Sequence, residues 1–402
     1  MRARWLFNNA WYRFYPPCSN DQRGLVYISK PDELATFLER AKSQRVIAVD
    51  TEFLREKTFH PRLCLLQIGL PTGECVAIDP ILLDDLSGVA ALMSDDSITK
   101  VFHACGQDLE GINHALGCTI APVFDTQLAA AFLGHRMQLG YGALVEAYTG
   151  RHLPKAASLT DWSRRPLDAE QLEYAEDDVR YLPGIYRKMV DELVARNRLG
   201  WVTPELEEAT SPAHYLHDSR RAFRKLKRSG SLTRRQLAIA REVCAWRDDQ
   251  AERRDIPRKW VLSDEAVVEA CKLAPKTVER LRRIRGTEQL SSRDADAVVH
   301  AVRVGVECRP DDMPVVERHA RPSADLESVI DLMYALVRLV SEKSGVATQL
   351  IATREDLHDF VTKPERSRLS SGWRRELVGD LLASLLDGQV GLTVKDGRVE
   401  TL

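Results

Sequence analysis

No run in this chain of 402 residues approaches the ~20 consecutive apolar residues that a membrane-spanning helix requires. No membrane partner is therefore expected. No Cys-x-x-Cys pair occurs among the eight cysteines, which stand at 18, 64, 75, 105, 118, 244, 271 and 308. That scatter excludes the usual zinc ribbons, and in a chain this long it argues against a disulfide framework. Buried thiols in a reducing cytoplasm are expected instead. The first stretch, "MRARWLFNNAWYRFYPPCSNDQRG" (1–24), is basic and aromatic but lacks the continuous apolar segment of a secretory signal. It reads as a loosely ordered leader. Low-complexity tracts and short-period repeats are also missing.

The net charge is only −2, which by itself selects no partner, but the charge is unevenly divided. Residues 211–260 hold fourteen Lys/Arg against six Asp/Glu, whereas acids exceed bases by eight over 31–200. An acidic region beside a basic one suits a cation-using site next to a phosphate-binding surface, although an uneven solvated surface gives the same count.

From about 25 to 200, strand and helix signals alternate. "LVYIS" is a short strand and "PDELATFLERAKS" a helix opened by Pro31. "VIAVDTEF" is a buried strand, apolar until it meets Asp50, and "LCLLQIGL" and "CVAIDP" are two more strands joined by the turn "PTGE". "KVFHA" runs directly into the helix "GQDLEGINHAL". This alternation predicts an α/β domain with a mixed sheet. "TPELEEATSPAHYLHDS" (203–219) is polar with two prolines and reads as linker, the boundary between domains being set at 201–211, after which the signals are helical. One helical module is expected over 212–291 and a second over 310–390. The tail 391–402 reads as a hairpin turning at Lys395-Asp396-Gly397.

Four separated acids stand against apolar backgrounds. Asp50 and Glu52 are two apart on one strand, so their side chains share a face while Thr51 points the other way. Acids ending a buried strand are costly unless cations or donors compensate them. Asp108 lies in the first turn of a helix, where an acid also complements the dipole. In "RRPLDAEQLEYAEDDVRYLP", Asp168 is the expected N-cap, with Gln171 completing a capping box. With Tyr174 at 0° and roughly 100° per residue, Asp178 falls near 40°, beside the apolar stripe of Leu172, Ala175, Val179 and Leu182. Asp177 falls near −60°, turned outward to solvent. Asp178 is therefore the acid expected to do chemistry. Four inward carboxylates share one site only if positive charge neutralises them, and hard divalent cations take oxygen ligands.

"VDTEF" (49–53), "HACGQDLEG" (103–111) and "YAEDDVRYL" (174–182) resemble the three exonuclease motifs of the DEDD superfamily, in its branch with a Tyr-x-x-x-Asp third motif. The flanks "DTEFLREKTFHPRLCLLQIG" and "LTDWSRRPL" are similar to the ribonuclease D family. Residues 212–291 resemble an HRDC domain, and 310–390 the second such domain of that family. The resemblance implies a ribonuclease H-like mixed-sheet exonuclease domain over 25–200, followed by two all-α HRDC-like domains. It also implies a cytoplasmic, monomeric 3′→5′ exoribonuclease that uses two divalent cations, Mg²⁺ or Mn²⁺. Such an enzyme removes 3′-terminal nucleotides from tRNA precursors and other small structured RNAs as nucleoside 5′-monophosphates. By the family pattern Asp50 bridges the two ions, Glu52 and Asp178 hold the nucleophile-side ion, Asp108 holds the other, and Tyr174 positions the attacking water.

Phe53 and Leu109 directly follow catalytic acids and either pack against terminal bases or belong to the core. His103 either touches a phosphate or is a satisfied strand-end histidine. The basic stretch 220–235 either guides the RNA backbone or is the exposed face of HRDC helices. Ser158 departs from the family pattern, in which a longer polar residue is common. Two other functions fit the same residues less well, a DNA 3′→5′ exonuclease and a nucleic-acid-binding protein without activity. Removing residues 212–402 is expected to weaken RNA binding more than the chemical step.

Overall fold

The computed structural model describes residues 24–54, 57–154, 160–315 and 323–402. The expected leader up to residue 23, and Ser158, lie outside the described residues. The chain divides into two compact units, one of residues 1–52, 63–215 and 321–402, the other of 53–62 and 216–320.

The first unit is built on a six-stranded sheet in the order β1-β4-β3-β2-β5-β6. The strands are β1 (Val26–Ile28), β2 (Val46–Leu54), β3 (Arg62–Gly69), β4 (Cys75–Ile78), β5 (Thr99–Phe102) and β6 (Val123–Asp125). β3 and β4 are antiparallel across the expected turn, while β1 pairs with β4, β2 with β5 and β5 with β6 in parallel. The mixed sheet is as the alternating signals predict.

Each face of the sheet has its own core. Ile47 and Val49 of β2 point to a layer containing Phe37 of α1 (Pro31–Lys42), Val89 of α2 (Ser87–Ser94) and Ile112 of α3 (Gly106–Leu116). Val46 and Ala48 point the other way, toward α4 (Thr126–Phe132), α5 (Tyr141–Thr149), α6 (Ala169–Arg180), α7 (Leu182–Ala195) and α8 (Leu199–Ala209). Asp50 and Glu52 continue the second set by the two-residue period of a strand.

Helix α6 starts at the predicted capping box, in which Asp168 accepts from the Gln171 amide and Gln171 returns a bond to the Asp168 backbone. It lies very close to the sheet at Gly69, where an added Cβ would stand 2.6 Å from the Val179 carbonyl oxygen. Any side chain at 69 would push away the helix that carries Tyr174 and Asp178.

Three expectations about domain limits are corrected here and below. The expected linker 201–211 is mostly helix, since α8 runs to Ala209 and is followed by the short α9 (Pro212–Tyr215). Leu199, Val202, Thr203 and Leu206 form a buried i, i+3, i+4, i+7 stripe that the surrounding acids and prolines mask in the sequence.

The expected second helical module is not separate. Helices α15 (Ala324–Ser344), α16 (Thr348–Ile351), α17 (Arg354–Thr362), α18 (Gly372–Arg374) and α19 (Asp380–Leu386) bury Ile330, Met333, Leu336, Val337 and Leu382 in the core of the sheet's own helices. Trp373 stacks on Trp201 at 5.6 Å and lies 5.2 Å from Phe132, edge to face. Glu205 accepts from Trp373 Nε1 at 3.1 Å and from both ends of the buried Arg374 guanidinium. Arg198 bridges the carbonyls of Phe132 and Ser344. The C-terminal hairpin, β7 (Leu392–Lys395) with β8 (Arg398–Thr401), forms as expected.

In the second unit α10 (Arg234–Arg254), opened by a Thr233–Gln236 capping box, packs with α11 (Arg258–Val261), α12 (Asp264–Leu273), α13 (Val278–Leu281) and α14 (Ser292–Glu307). Gly305 of α14 sits against the Ile239 backbone, too close for a Cβ, so this core extends past the expected limit at 291. The segment after β2 also belongs here. The Phe59 amide donates to Asp255 at 3.0 Å, Arg258 covers the Phe59 ring at 4.6 Å, and His60 Nε2 is 3.0 Å from Glu252.

Because the C-terminal helices complete the first unit's core, deleting 324–402 is expected to abolish its cooperative unfolding, and the expectation for removal of 212–402 changes accordingly. Leu336→Ala, fully buried in that core, is expected to cost about 2–5 kcal/mol. Urea denaturation of the two variants checks both. A deletion variant that melts cooperatively with the parental Tm would contradict the shared core.

Candidate active site

Three elements deliver the four acids. Asp50 and Glu52 end the apolar part of β2 on the α6 side of the sheet, and Asp178 faces them from α6. Oxygens of Asp50, Glu52 and Asp178 all lie within 4.8 Å of one another. Asp108 comes from the first turn of α3, where its carboxylate accepts the Thr51 hydroxyl. Thr51 points away from Asp50 and Glu52, as strand parity demands, and so ties the acid of α3 to the strand that holds the other two. The Tyr174 phenol, one turn before Asp178, lies near enough to the Asp178 carboxyl for each to shift the protonation of the other. Its ring lies 5.9 Å from the buried indole of Trp162. Arg165 holds that stretch by donating to the Trp162 carbonyl at 2.7 Å, to the Cys64 carbonyl at 2.7 Å and to Asp79 at 2.9 Å.

The electrostatics follow from burial and crowding. Burial, then the charges of Asp178, Asp108 and Glu52, push the Asp50 carboxyl well above the usual carboxylate range. Burial and the charges of Asp178 and Asp108 raise Glu52 to about 8. Burial raises Asp108 to about 7 against the opposing Thr51 bond. Burial likewise raises Asp178 to about 7 despite the nearby Tyr174 phenol. Burial and the neighbouring acids raise the Tyr174 phenol too, so it keeps its proton at neutral pH. Asp178 Oδ2 is buried without a hydrogen-bond partner. An orphaned oxygen among mutually repelling carboxylates is costly for a protein alone and suited to a hard cation. The residues therefore fit the divalent metal that the motifs imply.

The other expected site residues divide. Leu109 is buried in the core beneath the sheet and presents no surface to a base. The substrate-contact option is withdrawn for it, because one turn of α3 carries Leu109 inward as Asp108 turns to the strand end. His103 is a satisfied histidine. Nε2 stands 2.8 Å from the Leu139 carbonyl, which can only accept, and Nδ1 is 2.9 Å from Thr126 Oγ1. Burial holds its pKa below the usual value against the charge of Asp125, so a neutral ring with both nitrogens engaged has nothing to offer a phosphate. Phe53 is half-buried. Asp108 and Asp177 both stand outside the group of oxygens that could share one ion among the described residues, although the charge of Asp108 acts on Asp50 and Glu52. Asp177 is half-buried rather than solvated, since Tyr141 donates to its backbone carbonyl at 2.7 Å.

Sequence reasoning missed Thr51, Tyr141 and Trp162. Tyr141 lies near enough to Asp178 and Asp50 for their charges, after burial, to raise its phenol. No spacing rule links residue 141 to residue 50. Only the packing of α5 beside α6 does.

Residues 25–194 match the family model described as a 3′-5′ exonuclease, and 236–294 match the HRDC domain. The chain is 39% identical to a ribonuclease D of Nitrobacter hamburgensis, over 92% of this chain and 98% of that one. A ribonuclease D of Granulibacter bethesdensis is 36% identical over 92% and 94%. The crystal structure of Escherichia coli RNase D, described as an exoribonuclease involved in structured RNA processing, superposes with a TM-score of 0.76 at 29% identity. That alignment covers 91% of this chain and 99% of that one.

The raised carboxyls set a pH dependence for metal-free protein. Folded values near 7 to 8 against ordinary values of 3.8 and 4.5 mean that folding favours the protonated acids. Their contribution to stability is full below about 4 and is lost as pH climbs through 7 to 8. In EDTA the Tm should fall between pH 6 and 8.5, and Mn²⁺ should raise it more at pH 8 than at pH 6. Melting curves at the two pH values check this, and equal Mn²⁺ increments would contradict it.

Proposed function

The chain belongs to the ribonuclease D family of 3′→5′ exoribonucleases, and from that premise we propose a two-metal hydrolase that trims structured RNAs such as tRNA precursors from their 3′ ends. The observation carrying this reading is the meeting of Asp50, Glu52 and Asp178 oxygens within 4.8 Å, one Asp178 oxygen unpartnered, with Asp108 near enough for its charge to act on Asp50 and Glu52. Asp50, Glu52 and Asp178 would hold one Mg²⁺ or Mn²⁺, and Asp50 with Asp108 a second. Bound cations of this kind supply an acidified water and offset charge on the phosphodiester.

The protein's own groups do the rest. The Tyr174 hydroxyl, beside Asp178 and backed by Trp162, orients the attacking water toward the terminal phosphate. Because that phenol keeps its proton, it is not the base for the water; with the proton turned to the Asp178 carboxyl, its oxygen accepts from the water and so fixes it. Phe53, half-buried and directly after Glu52, is available to the terminal base.

In the second unit Arg220, Arg221, Arg224 and Arg241 line a cavity of about 490 Å³ with Phe223 and Leu237 beneath them. This supports the proposed role of the 220–235 stretch in binding RNA phosphates. Among the described residues no helix is long and apolar enough to cross a membrane. Action as a monomer in the cytoplasm is carried over from the family resemblance.

The test uses 3′-labelled and 5′-labelled RNA, and the same sequence as DNA, with Mg²⁺, Mn²⁺ or EDTA. Nucleoside 5′-monophosphates released stepwise from RNA 3′ ends, and none in EDTA, are expected. RNA that is bound but never shortened would overturn the hydrolytic reading. Asp178→Asn should lower kcat on the order of 10³-fold or more, and Tyr174→Phe on the order of 10²-fold. Asp177→Asn should retain most activity. Equal rates for the two aspartate variants would refute their assigned roles.

A further inference from the structure

One carboxylate outside the four stands at the corner that presents Asp108. Asp125 ends β6 and caps α4, accepting from Gln127 N at 2.8 Å and Leu128 N at 3.4 Å on Oδ1. A cap needs no more than that. The same carboxylate also reaches across to the β5–α3 turn. There Oδ1 accepts from Ala104 N and Oδ2 from Cys105 N, both at 3.1 Å.

Those two residues are unusual. Ala104 has φ of +63°, a left-handed conformation costly for a residue with a Cβ. Cys105 is the N-cap of α3 but its side chain caps nothing. The Asp125 carboxylate thus satisfies the two backbone N–H groups that lead into α3, and holds the left-handed turn in place. Three residues on, Asp108 leaves the first turn of α3 toward Thr51 and the other acids. Asp125 is also close enough for its charge to act on Asp108.

The geometry points to Asp125 as a positioning residue for the metal site, fixing the turn from which Asp108 is aimed and adding negative charge behind it. The inference rests on the proposed metal-dependent reading. Outer groups that orient metal ligands are worth about 10- to 100-fold in metal affinity, and this sets the size of effect to look for.

The experiment measures Mn²⁺ binding by calorimetry on full-length, chelator-treated protein at pH 8, alongside Tm, for the parent, Asp125→Ala, Asp125→Asn and Thr353→Ala. Thr353 caps α17, so its loss calibrates a missing cap remote from the acids. Asp125→Ala should lose Tm and bind Mn²⁺ about tenfold or more weakly. Asp125→Asn keeps an oxygen for Ala104, Gln127 and Leu128 but turns an amide donor toward the Cys105 N–H. It should recover most of the Tm while still binding Mn²⁺ more weakly than the parent. Thr353→Ala should lose Tm alone. Parental Mn²⁺ affinity in both Asp125 variants, whatever their Tm, would overturn the inference and leave Asp125 a simple cap. If Asp125→Ala does not fold, parental affinity in Asp125→Asn alone overturns it. A parent that binds no Mn²⁺ would overturn this inference and the metal-dependent reading together, which separates the two failures.

Discussion

Four carboxylates gathered at the end of one sheet repel one another, and burial keeps water from screening them. The remainder of the first unit can be understood as the framework needed to hold them there. Asp50 and Glu52 stay in place because β2 is pinned between β3 and β5. Asp178 is pressed toward them by a helix whose approach depends on a bare glycine, Gly69. Asp108 is tied to β2 by Thr51, and its turn is tied to β6 by Asp125. Without a cation the cluster relieves itself by retaining protons, which is why its carboxyls titrate near neutrality. The resulting strain is what a divalent ion would relieve.

That demand explains the role of the C-terminal helices. A cluster under electrostatic strain needs a rigid wall, and α4, α6 and α7 form it. The C-terminal helices join the core of that wall at α4 and α8, where Trp373 meets Phe132 and Trp201, Arg198 bridges to the Ser344 carbonyl and Glu205 pairs with Arg374. The helices after 323 are therefore part of the catalytic unit's core, whatever their kinship with an HRDC domain. The second unit has its own core, its own capping boxes and the excess of arginine. Carboxylates that attract cations and guanidinium groups that attract phosphate are thus carried by separately packed units.

Much of the site was legible in the sequence because its rules are local. A spacing of two on a strand puts Asp50 and Glu52 together and sends Thr51 the other way. A spacing of four on a helix puts Asp178 under Tyr174, and the same phase leaves Asp177 out. The capping box at Asp168 and the turn at Asp396-Gly397 follow from neighbouring residues alone. Leu109 and His103 were left open because each is decided by what packs on it, a core layer in one case and the Leu139 carbonyl in the other. The helix over 199–209 was missed because two prolines and a run of acids outweighed a correct four-residue stripe.

The sequence by itself determined which side chains share a face, where helices begin, and that an acid-rich α/β region precedes a basic helical one. These depend on backbone periodicity and on contacts within a few residues. Only the tertiary structure decided that Asp125 braces the turn before Asp108, that Tyr141 lies beside Asp178, and that residues 324–386 complete a core begun three hundred residues earlier. Such pairings join residues that no period relates. They form because apolar faces must be buried and buried polar groups must find partners, and that search runs over the whole folded chain.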